Sequence, residues 1–291
     1  MSQGDRITVE IDGQELTLTH PEKLLWPEYG IDKMTYWHKL IALAPYFRNR
    51  YLSTIRYPDG VHGKSFYQKH TPIHRPGYVH TAMKDGVDYI VLDSLPTLLW
   101  LGNLAALEFH PSCDFVGEEI PAEWVLDIDP SPELTGQVME AAALVGEVLD
   151  DMGILSVPKT SGATGVQIIV PIRTGYSFEQ LRTVGHFLSS YMTKKFPKWF
   201  TTERLIKDRG QRIYLDYLQH APGKSLAAPY TPRGRENATV STPLLWEEVR
   251  KGVDPLNFNL LTIEKRLEQY GDLTAKVDKQ SLENILRVIR T

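Results

Sequence analysis

Cysteine is almost missing: Cys113 stands alone among 291 residues, so an internal disulfide framework and a multi-cysteine zinc site are both excluded. No apolar run reaches the roughly 18 residues that a membrane-spanning helix needs. The first eleven residues also lack the charged-then-apolar order of a secretory leader. A reducing, cytoplasmic setting with no membrane attachment is the resulting expectation. Excess charge of one sign is absent too, since 32 Lys and Arg face 36 Asp and Glu for a net charge of −4, and the chain as a whole gives no hint of a polyanion partner. Internal repeats and low-complexity linkers are also missing.

What is present is a core. Apolar residues make up 42% of the chain, and 21 Gly and 19 Pro punctuate it in the manner of an ordered globular protein. Its length exceeds the usual reach of one hydrophobic core, which points to two lobes around a cleft, with a soft boundary near residue 112 separating residues 1–112 from 113–291. Charge is unevenly spread. Residues 118–151 hold ten acids and no Lys or Arg, whereas residues 204–235 hold seven basic residues against Asp208 and Asp216. An acidic centre beside a basic wall is what an enzyme handling metal and phosphate requires.

Hydrophobic periodicity supplies the elements. Alternation around Asp12-Gly13 predicts a hairpin over residues 6–19, and helical spacing, including Phe47, predicts a helix from Asp32 to residue 51. Short extended pieces are expected at 54–57, 65–69 and 89–92, followed by a helix over about 96–107 opened by Ser94. Next come a strand at 124–129, a helix over 131–152, strands at 154–157 and 166–171, a helix over 177–195 and a strand at 212–217. That order, β-α-β-β-α-β, is a split βαβ of RRM-like type, and the fold class is α/β (α+β). Amphipathic helices are expected at 244–252, 262–270 and 280–290.

Asp127 and Asp129 alternate with Leu126 and Ile128, so on a strand both carboxylates leave one face while the aliphatic residues enter the core. Acids about 7 Å apart along a strand suit hard cations that take oxygen ligands. Two solvent-facing acids before an Asp-Pro turn would look the same. Asp216 lies among Tyr214, Leu215 and Tyr217, where a carboxylate needs a metal or a cation; an ion pair with Arg212 or Arg209 is the plainer reading. Three acids on two strands form the ligand set of a two-metal phosphoryl-transfer site.

Between these strands, Ser161, Gly162 and Gln167 belong to a Gly-containing turn that can direct N–H groups, a hydroxyl and an amide at phosphate oxygens. An ordinary connecting turn is the alternative, and the Walker ending is absent. His110 can touch a phosphate or serve structurally. Lys23, Lys33, Arg56, Phe66 and Lys69 mix cations with aromatic faces, and Lys224, Arg233 and Arg235 extend the basic wall.

The segments WVLDIDP, SGATGVQIIVP, RIYLDYLQHAPGKSLAAPYTPR and VSTPLLWEEV, with THPEKLLWPEYGIDK and RYPDGVHGKSFYQK before them, resemble the polymerase module of bacterial DNA ligase D, a branch of the archaeo-eukaryotic primase superfamily. The likeness runs from about residue 16 to 290. It implies a two-lobed primase-polymerase fold and template-directed addition of nucleotides, ribonucleotides preferred, in non-homologous end joining. It also implies two Mn²⁺ or Mg²⁺ ions on Asp127, Asp129 and Asp216, and triphosphate contacts from Ser161 and His110. Arg56, Phe66 and Lys69 fall on the nucleotide side, as do Gly162, Gln167, Lys224 and Arg233. Lys23 and Lys33, with His20, match a grip on a recessed 5′-phosphate. Gln167 stands where many relatives carry His, and His20 where Asn is common. DNA ends or gaps and NTP or dNTP are the implied ligands. Ku is an implied partner, and because no ligase segment is read in the sequence, sealing is expected from a separate DNA ligase. Two other classes fit part of the pattern: a DxD glycosyltransferase using a sugar nucleotide, and a DNA end-bridging module without catalysis.

Overall fold

The computed structural model describes residues 6–44 and 50–290, which leaves the expected helical stretch around Phe47 outside the described residues. The chain divides into two units. The first holds residues up to Ser112 with Ser225–Ser241 and Phe258–Gln269, and the second holds Cys113–Lys224, Thr242–Asn257 and the residues from Tyr270 on.

In the first unit, β1 (Arg6–Ile11) and β2 (Gln14–Thr19) meet at Asp12 and Gly13, whose φ values of 52° and 71° give the left-handed pair that a tight hairpin needs. A second ribbon, β3 (Leu24–Trp26) with β4 (Ile31–Asp32), leads into α1 (Lys33–Leu43). Asp32 caps α1 by accepting the Thr35 N–H at 2.7 Å. The helix is shorter than its expected span to residue 51. Pro45 has no N–H to offer the Ile41 carbonyl, and Arg50 and Tyr51 instead open a strand.

That strand, β5 (Arg50–Arg56), pairs with β6 (Phe66–Gln68) and with β8 (Val87–Val91), and β7 (Thr81–Lys84), not foreseen, forms the far edge. Ser94 caps α2 (Leu95–Asn103), which stops before the expected 107 because Ala105 turns left-handed at φ 55°. The residues that follow form β9 (Ala106–Phe115), another unforeseen strand, paired with β5. Trp26, Tyr36, Leu99 and Phe109 are each fully buried in this unit's core, and the Tyr36 hydroxyl donates to the Ala106 carbonyl at 2.7 Å.

The second unit carries the expected β-α-β-β-α-β order: β10 (Trp124–Asp129), α3 (Val138–Asp151), β11 (Val157–Thr160), β12 (Val166–Val170), α4 (Phe178–Lys195), β13 (Phe200–Thr201), α5 (Ile206–Arg209) and β14 (Ile213–Asp216). Strand order is β11-β12-β10-β14-β13, antiparallel except for the short parallel pair β13 and β14. Three details differ from the sequence reading. The segment 132–137 is a 3₁₀ turn before α3; β11 begins at Val157 because Ile154 still bonds the Leu149 carbonyl of α3; and β13 and α5 were not read.

Trp124, Leu126 and Ile128 are buried on the face that packs on helices, with Gly185 of α4 lying close against Trp124. Ser177 and Gln180 close a capping box at the start of α4. The tail forms α6 (Trp246–Arg250), α7 (Ile263–Tyr270), which adds Ile263 and Leu267 to the first unit's core, and α8 (Glu283–Arg290) in the second unit. Among the described residues no helix is long and apolar enough to cross a membrane.

Candidate active site

Strand register brings the three expected acids of the second unit together. Asp127 of β10 lies opposite Asp216 of β14 on one side and Gln167 of β12 on the other, while Gln167 lies opposite Lys159 of β11. Residues directly opposite in antiparallel strands project from the same face. Lys159, Gln167, Asp127 and Asp216 therefore form one polar row across the sheet, and Asp129, two residues along, shares that face opposite Tyr214. Leu126 and Ile128 enter the core, as the alternation required.

Crowding of like charge marks this row. Burial pushes the Asp127 carboxyl up to about 7, and the charges of Asp129 and Asp216 push the same way, against Lys159 and a hydrogen bond from Gln167. Lys159 is almost wholly enclosed, and its Nζ donates to Gln167 Oε1 at 2.7 Å. The amide of Gln167, itself buried, is thus engaged between the ammonium and Asp127. Arg209, foreseen as an ion-pair partner for Asp216, instead donates from Nη1 to Asp129 Oδ2 at 3.1 Å and stacks over the Tyr214 ring at 4.5 Å. Asp216 Oδ1 accepts from the Tyr214 hydroxyl at 3.1 Å and from the Leu218 and Gln219 N–H groups at 3.0 Å each. Arg212 Nε donates to the Arg209 carbonyl at 2.9 Å.

With these side chains so engaged, no three His, Cys, Asp or Glu side chains among the described residues are arranged to hold a metal ion as they stand. The donor chemistry nonetheless suits a hard divalent cation. Three carboxylates share one face at neighbouring register positions, and the Asp127 pKa is raised chiefly by burial, with the charges of Asp129 and Asp216 adding to it. Asp129 belongs to that set with one oxygen, Oδ2, already bonded to Arg209.

The Gly-containing turn sits beside β10. Ser161 Oγ accepts the N–H groups of Ala163 and Gly165 at 3.1 and 3.0 Å, and Gly162 is left-handed at φ 69°. Gly165 approaches so closely that a Cβ there would stand 2.6 Å from the Ile128 carbonyl oxygen. Lys224, at the end of this unit's long segment, is exposed.

A second polar cluster lies in the first unit. Glu108, 3% exposed, accepts from four donors: His110 Nε2 at 2.9 Å, Arg233 Nε at 2.8 Å, the Gly234 N–H at 3.0 Å and the Tyr57 hydroxyl at 3.1 Å. Burial alone would raise its pKa, but the hydrogen bond from His110 and the charge of Arg233 outweigh burial and hold it down at about 2. His110 and Arg233, far apart in sequence, are thereby tied to one carboxylate.

The expected 5′-phosphate residues also belong to the first unit. Lys33 is buried and donates from Nζ to the Thr19 carbonyl at 2.8 Å; burial and the charges of Lys23 and Arg56 bring its pKa down to about 8. Burial is the larger cause, and the smaller repulsion reflects Lys23 and Arg56 lying near Lys33. Lys23 Nζ pairs with Asp59 at 2.8 Å, and His20 is exposed with φ 51°, a conformation that Asn and His tolerate better than most residues. Arg56 lies over the exposed Phe66 ring at 5.0 Å, and Lys69 over exposed Tyr67 at 5.9 Å.

Sequence reasoning missed Glu108 and Lys159. For Glu108 the signal was its alternation with His110, legible only once residues 106–115 are read as a strand. Lys159 carried no signal beyond its position before the turn, since its partner is set by register.

A family match gives the split β-α-β sheet and its acidic row a class, that of the primase-polymerases. The family model described as LigD, primase-polymerase domain, matches residues 32–274, and the chain belongs to that family. It is 40% identical over 231 residues to the bifunctional non-homologous end joining protein LigD of Bacillus subtilis (strain 168), covering 79% of this chain and 38% of that protein. Identity is 29% over 262 residues to the multifunctional non-homologous end joining protein LigD of Pseudomonas aeruginosa, covering 87% of this chain and 31% of that protein. The chain thus spans less than two-fifths of the length of these relatives. Among solved structures, the polymerase domain from Mycobacterium tuberculosis ligase D in complex with DNA matches with a TM-score of 0.82 at 25% identity, over 90% of this chain and 97% of that one.

Proposed function

We propose that this chain is a template-directed nucleotidyltransferase, a DNA-dependent polymerase that prefers ribonucleotides and fills gaps and extends ends in double-strand break repair by non-homologous end joining. The observation that carries the reading is the placement of Asp127, Asp129 and Asp216 on one face of adjacent strands in a chain of this family. In this reading the three carboxylates hold two Mn²⁺ or Mg²⁺ ions, whose chemistry when bound is to acidify the primer 3′-hydroxyl and neutralise the triphosphate. Arg209 occupies Asp129 until that carboxylate is needed, and Lys159, through Gln167, keeps Asp127 aligned along the row.

Ser161 and Gly162 border the nucleotide's phosphates, and His110, Arg233, Lys224, Arg56, Phe66 and Lys69 contribute to nucleotide binding. Lys23, Lys33 and His20 receive a recessed 5′-phosphate, for which the concentration of positive charge around Lys33 is the support. DNA ends or gaps are the proposed polymer ligand, in keeping with the DNA-bound structural relative. Ku and a DNA ligase are the proposed partners.

The test is extension of a gapped, 5′-phosphorylated duplex with ribo- and deoxynucleoside triphosphates in Mn²⁺ and in Mg²⁺. Template-matched incorporation is expected, with the ribonucleotide favoured. Asp127→Ala, Asp129→Ala and Asp216→Ala should each lower it by about a thousandfold or more while gapped-DNA binding persists. Undiminished extension by any of the three would remove that residue from the metal set, and DNA binding without incorporation by the wild type would reject the polymerase assignment.

A further inference from the structure

Removing a carboxylate from water is costly unless donors replace its hydration, and a site that gathers four donors on one carboxylate constrains every one of them. Glu108 does this at 3% exposure. Its Oε2 takes both His110 Nε2 and Arg233 Nε, and its Oε1 takes the Gly234 N–H and the Tyr57 hydroxyl, so each oxygen has two partners. Two of the four partners are fixed by the fold: Gly234 donates from the backbone, and Tyr57 is buried. The other two, His110 and Arg233, are cationic or proton-carrying side chains with 13% and 14% of their side-chain area exposed.

Resting on the polymerase reading, we propose that Glu108 is the positioning residue of the first unit's nucleotide contacts, fixing the His110 ring and the Arg233 guanidinium for the triphosphate. A bond from Nε2 to Glu108 sets the ring's orientation and directs Nδ1 to the opposite side. A bond from Nε fixes the plane of a guanidinium whose donors form a rigid fork, the geometry that recognises phosphate oxygens. Gly234 has room for nothing larger, since a Cβ there would run into the Tyr57 ring, so the backbone donor and the hydroxyl hold Glu108 in place.

The experiment compares wild type, Glu108→Gln, His110→Gln and the double variant in steady-state extension of gapped DNA. Affinity for the same DNA without nucleotide is measured in parallel. Incorporation by wild type establishes the polymerase reading independently of the variants. Glu108→Gln should raise the nucleotide KM by about tenfold to a hundredfold, the effect of losing hydrogen bonds to charged groups. The loss should fall on KM rather than kcat, DNA affinity should stay within about twofold, and the double variant should be no worse than the poorer single variant.

An unchanged nucleotide KM would overturn the proposal. So would equal losses in nucleotide and DNA binding, or fully additive single effects. If Glu108→Gln does not fold, Glu108→Asp keeps the charge but shortens the reach to the two side chains, and its KM should rise by at least threefold; a wild-type KM in that variant would overturn the proposal.

Discussion

At Glu108 one buried carboxylate settles a local balance of charge, and that balance has a pH signature. Its folded pKa of about 2 lies below the ordinary value of 4.5, so the folded state holds the ionised form more tightly than the unfolded chain does. The resulting stabilisation is complete above about pH 4.5, falls as pH drops through that window, and is gone below about 2. A shift of this size corresponds to roughly 3 kcal/mol. Glu108→Gln should therefore melt several degrees below wild type at pH 7, with the gap between the two closing as acid is added towards pH 2. Calorimetric or circular-dichroism melts at pH 7, 4 and 2.5 check this. A gap of constant size across that range would mean that packing at the site, not the charge, is what Glu108 contributes.

The elements of the second unit were the most legible part of the chain. Asp127 and Asp129 alternate with Leu126 and Ile128, and the strand at 124–129 was legible residue for residue; helical spacing marked 177–195, within a residue of α4, and Asp32 marked the start of α1. What the sequence concealed is non-local or short. The run at 106–115 does alternate, Leu107, Phe109, Cys113 and Phe115 against Glu108, His110, Ser112 and Asp114, but Pro111 interrupts it as a strand pattern, its polar face is buried as well, and its first two residues pass for the end of a helix. Two-residue β13 is below the length at which any pattern can appear.

Pairing register was hidden as well, and with it the Lys159-to-Asp216 row and the choice of Asp129 over Asp216 by Arg209. One element-scale contact is directly testable. Gly165 begins the approach to β12 with its α-carbon against the Ile128 carbonyl, and a methyl there would meet backbone, which cannot yield as a flexible side chain would. Gly165→Ala should lower the melting temperature by several degrees, consistent with roughly 1–3 kcal/mol of overpacking. It should also reduce incorporation, although Gly165 holds no charge and donates to no ligand in this account. A variant with wild-type stability and wild-type extension would show that β10 shifts freely there.

For the molecule as a whole, a near-neutral net charge hides a division of labour. The second unit carries the acids and the Gly-containing turn, while the first carries the Glu108 cluster and the concentration of Lys23, Lys33 and Arg56. Composition alone argued against nucleic acid; distribution argued for it. The proposed function rests on the second argument.

In the proposed function Asp127, Asp129 and Asp216 collect divalent ions, with Asp129 released from Arg209. Crystals grown with Mn²⁺ and a non-hydrolysable nucleoside triphosphate, measured at the manganese absorption edge, test it most directly. Anomalous peaks within about 2.5 Å of oxygens from all three carboxylates, with Asp129 turned away from Arg209, are the expected result. Manganese bound elsewhere, with Asp129 still paired to Arg209 and Asp216 still held by the Leu218 and Gln219 N–H groups, would contradict it.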